Sequence, residues 1–322
     1  MSTSASKAIC LGDLHIKVSN QLVFETNRLS KLSTALKTKH PNIFSLYLLG
    51  DVFDKNNPSL KEIKLFYGFI HDLSEHFTNI IIIDGNHDST TFKFLPEKDF
   101  KYYEGITEID NIVFVGWSNI VGFTHNQIHT TKCNLLFTHA RCTIPPYIIE
   151  EINFKELSEK FKLVVLGDIH SPHKPYENIW YTSEPTHNHY TKYKKTNGWL
   201  VVDTETLEVT RHREELPYKD IKSFSSIQEH NQWVKTLDDD NLYKVTITDL
   251  LDEFSKLIRH PQVTCELVPK LVIDETNEEV EIKQMVKKKV SIYDILIEHT
   301  KTLYKFSEET TSKVTSRVRN KR

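Results

Sequence analysis

The sequence predicts an α/β protein, and three observations lead there. Short apolar runs such as Ser45–Leu49 and residues 80–83 have the length and branching of buried parallel strands. Residues 59–76, between them, have helical length, with Leu60, Ile63, Leu65, Phe66, Phe69, Ile70 and Leu73 at helical spacing, so the unit is βαβ. Each apolar run then ends in a glycine turn rich in polar ligands. Residues 48–54 read LLGDVFD and residues 80–88 read IIIIDGNHD. Two such strands leave one sheet on the same edge, which brings Asp51, Asn86, His87 and Asp88 together.

The other elements follow in order. Lys7–Leu11 is a strand that runs into Gly12-Asp13-Leu14-His15, and alternation along an extended segment puts Asp13 and His15 on one face. Residues 26–39 form an amphipathic helix through Leu29, Leu32 and Leu36, closed by His40-Pro41. Asp51 follows a buried strand directly, where a carboxylate needs something positive to neutralise it; Asp54 reads as an acid that anchors the loop. Asn86 offers a carbonyl oxygen to a metal and His87 an imidazole to substrate. Asp88 is expected to take the other ring proton of His87 and fix its tautomer.

Two strands are expected at 101–103 and 112–116, followed by a polar loop over 117–132. Its His125 and His129 lack a carboxylate or cysteine to complete a zinc set, so they read as surface residues. Residues 134–138 make a buried strand ending at His139. After a helix over 154–161, a strand at 163–166 ends Gly167-Asp168-Ile169-His170, again with a carboxylate and an imidazole two apart. Beyond residue 178 the pattern is all-β, with a hairpin whose tip is 204–207. Oxygen and imidazole groups gathered at strand ends suit a divalent cation such as Mn²⁺.

Of the 322 residues, 26% are charged and 39% hydrophobic, an ordinary globular balance. No apolar run approaches the roughly 20 residues of a membrane span, and the start MSTSASKAICLGD has no apolar signal core, so a cytoplasmic protein is expected. The four cysteines are scattered and read as reduced structural thiols. Net charge is −3, unlike a generic nucleic-acid binder, but residues 282–322 hold 11 Lys and Arg against 4 Asp and Glu. That surplus of +7 leaves −10 on the body, and a basic tail suits a polyanion or an acidic partner. Residues 216–271 carry a strand (243–247), a helix (250–259) and a strand (262–267), around a solvated acidic loop at 238–240. A Glu- and Lys-rich linker leads to a helix from Ser291, whose Ile292, Leu296, Leu303 and Phe306 form an apolar stripe.

The ordered set GDLH, GDVFD, GNHD, FTHA and GDIH resembles the calcineurin-like metallophosphoesterase superfamily. Within it, GDVFDKNNPS, the YTSEP segment and the GWLVVDTETLEV hairpin resemble the SbcD family of double-strand-break repair nuclease subunits, over residues 7–213. The resemblance implies a four-layer α/β/β/α sandwich over residues 1–215, a small DNA-capping domain over 216–272, and a linker with a partner-binding helix over 273–322. It implies two Mn²⁺ (or Mg²⁺) ions, one on Asp13, His15, Asp51 and His170, the other on Asp51, Asn86, His139 and Asp168. Where the family has GHxH this chain has GDIH, so Asp168 either ligates as an anion or makes no bond while His173 reaches in. His87 and Asp88 would be the catalytic pair. The implied activity is exonuclease and endonuclease cleavage of DNA, with an SMC-like ATPase on the C-terminal helix and a homodimer within a heterotetramer. The Lys- and Ile-rich, glycine-poor composition points to a phage recombination nuclease acting in the host cytoplasm. Two other functions compete: a phosphoesterase of small substrates, which the cap and basic tail oppose, and a metal-poor DNA-tethering scaffold, which the ligand set opposes.

Overall fold

Strand β1 (Lys7–Leu11) sits beside β2 (Ser45–Leu49) and β3 (Asn79–Ile83), all parallel, with Leu11 opposite Leu48 and Leu49 opposite Ile83. The computed structural model describes residues 6–18, 22–120, 130–142, 151–186, 198–237, 241–249 and 251–269. His125, His129, the acidic run 238–240 and the helix expected from Ser291 lie outside the described residues. β4 (Lys101–Tyr102), β10 (Gly198–Asp203) and β11 (Val209–Arg213) complete a six-stranded sheet in the order β11-β10-β1-β2-β3-β4. A second sheet holds β5 (Ile106–Ile109), β6 (Ile112–Val115), β7 (Leu135–His139), β8 (Leu163–Gly167) and β9 (Ile179–Tyr181) in chain order.

Both faces of the central strands are covered, which is why they read as unbroken apolar runs. Ile9, Leu11, Leu46, Leu48, Ile80 and Ile82 pack with residues of α1 (Leu22–Lys39) and α2 (Leu60–Ser74). The alternate set, including Cys10, Tyr47, Leu49, Ile81 and Ile83, packs with Phe114, Leu135, Phe137 and Val165 of the second sheet. The outer face of that sheet, through Val113, Leu136 and Val164, packs with Ile120 of α3 (Trp117–Ile120) and Phe154 and Leu157 of α4 (Phe154–Lys160). The layers therefore run α/β/β/α.

The small third sheet is parallel: β12 (Lys219–Phe224), β13 (Leu242–Asp249) and β14 (Val263–Pro269). Between β12 and β13 lies α5 (Ile227–Val234), capped by Ser226. Sequence periodicity missed β12, whose polar residues mask it, and α5, which spans eight residues. The helix expected over 250–259 is a 3-10 turn, Leu251–Lys256. Phe254 and Leu257 pack on the same cluster as Tyr243 and Val245, and their spacing of three suits the tighter helix. Edge strand β5 was also missed, because it is largely exposed and has no buried run to betray it.

α1 begins earlier than its leucine spacing predicts, and its buried face carries Glu25 and Arg28 beside Leu29, Leu32 and Leu36. Arg28 is fully buried; it donates to Glu25 through Nε (3.0 Å) and Nη2 (2.6 Å), to the Leu14 carbonyl (3.2 Å) and to Thr186 Oγ1. Lys219 of β12 donates to the second oxygen of Glu25 at 3.4 Å. Four segments thus meet on one buried carboxylate–guanidinium pair. Replacing Arg28 with Met would leave Glu25 a buried anion short of its main partner, a change expected to cost about 3–5 kcal/mol. Glu25→Gln in the same chain should return part of that loss. Urea denaturation midpoints check both; an Arg28→Met midpoint equal to wild type would mean that the network contributes nothing to stability.

Candidate metal centre

The polar groups stand where the strands end: Asp13 and His15 after β1, Asp51 after β2, Asn86, His87 and Asp88 after β3, His139 at the end of β7, and Asp168 and His170 after β8. Strand alternation does not aim them. Asp13 (φ 57°), His15 (φ 44°), Asp51 (φ 51°) and Asp168 (φ 97°) all turn through the left-handed region, each at a cost of about 1–3 kcal/mol. This corrects the expectation that Asp13 with His15, and Asp168 with His170, share a face of extended chain. The turned segments are tied across the sheet, with Asp13 N–H on the Gly50 carbonyl (3.2 Å) and His15 N–H on the Asp51 carbonyl (2.8 Å). Two glycines make room: a Cβ on Gly50 (φ 79°) would overlap the His139 ring, and one on Gly85 the Asp51 carboxylate.

Asp51 lies at the middle of the cluster and is 2% exposed. Its Oδ1 accepts the His87 backbone N–H (2.8 Å), and its Oδ2 stands 3.6 Å from His15 Nε2 and 3.6 Å from His139 Nε2. On one side, His15 Nε2 and His170 Nε2 face each other at 3.1 Å, and Asp13 Oδ1 is 3.8 Å from His170 Nε2. On the other, His139 Nε2 is 3.0 Å from Asn86 Oδ1. Neighbouring donors on a six-coordinate cation with bonds of about 2.1 Å stand about 3.0 Å apart, so both close pairs have the spacing of ligands on one ion. Among the described residues, three triads bring ligand atoms within 4.8 Å of one another: Asp13–His15–His170, Asp13–Asp51–His139 and His15–Asp51–His87.

The imidazoles are oriented from behind. His139 Nδ1 lies 2.9 Å from the Leu49 carbonyl, and His170 Nδ1 lies 3.5 Å from Glu184 Oε2. Holding Nδ1 on an acceptor leaves Nε2 for a metal. The donor set fits a pair of divalent cations, one among Asp13, His15, His170 and Asp51, the other among Asp51, Asn86 and His139.

Charge is concentrated without being balanced. Burial pushes the Asp13 carboxyl up to about 7, with Asp51 and Asp168 adding to the shift against His139 and His170. For His139 burial acts downward, but Asp51, Asp13 and Asp168 outweigh it and lift the imidazole to about 9. His170 is also raised, because its hydrogen bond to Glu184 and the Asp13 charge overcome burial.

Two expected roles meet different contacts. Asp88 does not orient His87, which is a correction: its Oδ2 accepts from the Val52 (2.7 Å) and Phe53 (3.1 Å) amides and its Oδ1 from the Gly85 amide (2.8 Å). A buried carboxylate at the start of a turn finds backbone donors before a side chain. His87 instead places Nδ1 2.8 Å from the Asp54 carbonyl. Asp168 has both oxygens on Arg141, with Nε to Oδ2 at 2.9 Å and Nη2 to Oδ1 at 2.8 Å, while its Oδ1 is 3.8 Å from His139 Nε2. The His173 ring lies beside Tyr181, centroids 6.0 Å apart. Sequence reasoning missed Arg141 and the role of Glu184. Glu184 sits inside the YTSEP segment, residues 181–185, whereas Arg141 carries no motif signal beyond being two residues from His139.

The family model for calcineurin-like phosphoesterases matches residues 6–194, more than half of the chain. Over 184 residues the chain is 29% identical to the probable exonuclease subunit 1 of Escherichia phage T5, covering 50% of this chain and 53% of that one. Over 78 residues it is 32% identical to the DNA double-strand break repair protein Mre11 of Nanoarchaeum equitans (strain Kin4-M), covering 24% of this chain and 21% of that protein. The matches thus span about half the length of the first relative and a fifth of the second. The phosphoesterase Yfce from E. coli aligns with 65% of this chain and 100% of its own at 11% identity, with a TM-score of 0.30, too low to carry an argument.

At pH 7 the metal-free cluster holds a proton on His139 and a partial one on Asp13, and a cation requires both groups unprotonated. Loading Mn²⁺ at pH 7 should therefore release about one proton or more per chain. The release should fall, and affinity rise, as pH climbs through about 9, the His139 value. Calorimetric titration in buffers of different ionisation enthalpy measures this, and heats independent of buffer would show that these groups do not receive the metal.

Proposed function

This chain belongs to the calcineurin-like phosphoesterase family, and from that premise we propose that it is the nuclease subunit of a DNA-processing complex, hydrolysing phosphodiesters with two Mn²⁺ ions. The observation that carries the reading is the Asp51 carboxylate, whose one oxygen stands 3.6 Å from an imidazole of each half-site, where a bridging ligand belongs. Three imidazoles, two carboxylates and an amide make a mixed nitrogen–oxygen donor set suited to Mn²⁺. A pair of such ions supplies Lewis acidity toward a phosphodiester and makes water acidic. DNA as substrate is supported by the two relatives, one named an exonuclease subunit and the other a DNA double-strand break repair protein.

The chain's own residues divide the remaining work. Asp13, His15, Asp51, Asn86, His139 and His170 hold the ions. His87 is exposed at the rim of the cluster, its ring edge-on to His15 with centroids 4.8 Å apart. The Asp54 carbonyl occupies Nδ1–H, which leaves Nε2 as the ring nitrogen able to take up a proton and pass it to a leaving oxygen. Asp88 supports that role by tying the Gly85 turn to the Val52–Phe53 turn. The sheet β12-β13-β14 serves as a cap that narrows DNA access. The stripe Ile292, Leu296, Leu303 and Phe306 docks, on its sequence pattern, with an SMC-like ATPase coiled coil; the word subunit in the phage relative's name supports a partner.

His87→Ala should retain both Mn²⁺ ions in a calorimetric titration yet lose about 10²–10⁴-fold in the rate of cleaving linear DNA. The same assay should show linear DNA cleaved far faster than bis(p-nitrophenyl) phosphate. Loss of metal in step with activity would move His87 into the ligand set, and a preference for the small diester would replace DNA as the substrate class.

A further inference from the structure

The Arg141–Asp168 pair lies at the edge of the metal centre and has no part in the roles assigned above. Asp168 is buried, its side chain 3% exposed, while the Arg141 side chain is 37% exposed. The two make a fork-to-fork contact, Nε to Oδ2 and Nη2 to Oδ1, the geometry that fixes a guanidinium in plane and in register. Arg141 is also anchored by its backbone, its N–H on Glu151 Oε2 (2.8 Å) and its carbonyl accepting from the Glu151 amide (3.0 Å); Glu151 Oε1 in turn accepts from the Trp117 indole at 3.3 Å. On the far side, the Asp168 amide donates to Asp13 at 3.1 Å. A long, flexible side chain is thus held rigidly, two residues from His139 in sequence and joined to it through Asp168 Oδ1, 3.8 Å from His139 Nε2.

A guanidinium carries five N–H donors, and Asp168 takes only the Nε and one Nη2 proton. Among the described residues no acceptor is paired with Nη1. A rigid, half-exposed arginine with donors to spare, beside a cluster that fits two cations, matches a tetrahedral oxyanion. We propose that Arg141 binds a non-bridging oxygen of the substrate's phosphodiester, and that Asp168 positions Arg141 rather than ligating metal. The second ion would then be held by Asp51, Asn86 and His139, without Asp168. This inference rests on the metallophosphoesterase reading.

Arg141→Lys, Arg141→Ala and Asp168→Asn, made in the full chain, separate the possibilities. The readouts are Mn²⁺ stoichiometry by calorimetry, inorganic phosphate affinity of the Mn²⁺-loaded and metal-free protein, and KM and kcat on linear DNA. All three variants should bind as many Mn²⁺ ions as wild type. Arg141→Ala should weaken phosphate binding by about ten- to a hundredfold, the worth of a charged hydrogen bond, and raise KM in proportion. Arg141→Lys, which keeps a cation on Asp168 and so preserves the fold, should show a smaller loss in the same direction. Asp168→Asn should follow Arg141→Lys, with KM moving more than kcat. Unchanged phosphate affinity and KM in both arginine variants would overturn the role of Arg141. Loss of one Mn²⁺ in Asp168→Asn would make Asp168 a ligand. If wild type takes up no Mn²⁺, the metal reading falls, while the phosphate titrations of metal-free wild type and Arg141→Lys still decide whether Arg141 binds the anion. Equal affinities there would reject it.

Discussion

A carboxylate buried at the meeting of two sheets, with too little positive charge around it, is the constraint on which this structure depends. Asp51 cannot reach water, and burying an unpaired carboxylate is far more costly than any single packing contact can offset. Its surroundings answer that cost in part. The His87 amide donates to one oxygen, and two imidazoles converge on the other. The second sheet must deliver one of those imidazoles, so the sandwich has to close in one register. The bond from His139 Nδ1 to the Leu49 carbonyl ties β7 to the end of β2, and it leaves no space for a side chain at Gly50. Sheet packing and ligand placement are the same interaction seen from two sides.

The layered core was legible because both-face burial writes itself as continuous apolar runs: β1, β2, β3, β7 and β8 all fall within a residue or two of their expected bounds. The glycine turns at the ends of β1, β2, β3 and β8 marked the cluster, since a turn with small residues lets several carboxylates crowd together. What could not be read is where burial and apolarity part company. Glu25 and Arg28 face the core of α1, yet each looks like a surface residue until its partner is in place. β5 and β12 bury little, so no run announces them. The positive-φ turns at Asp13, His15, Asp51 and Asp168 are equally silent, because the sequence names the residues but not the backbone that aims them.

The misassignment of Asp88 has an instructive cause. An acid next to a histidine invites a pairing of side chains, as in many catalytic sites. Here the turn amides of Gly85, Val52 and Phe53 are nearer and need acceptors of their own, because a buried N–H without a partner is costly. Asp88 satisfies three at once and thereby fixes the distance between the Asp51 turn and the Asn86 turn. The histidine is then served by a carbonyl, which accepts the ring N–H hydrogen bond but adds no negative charge to a cluster already rich in it.

The same economy of charge accounts for Asp168. An imidazole at that position would bring a neutral donor; a carboxylate brings an anion into a cluster that already holds Asp13 and Asp51. Alone, it would raise further the proton affinity of every neighbour, as its upward effects on Asp13 and His139 show. Arg141 cancels that charge at contact distance, so the pair as a whole is neutral. The cost is a donor, since oxygens committed to a guanidinium fork are weaker toward a cation. The gain is a guanidinium held in a fixed plane at the edge of the site. On the role proposed for Arg141, a carboxylate that looks like damage to a ligand set would, with its partner in view, exchange one kind of phosphate recognition for another.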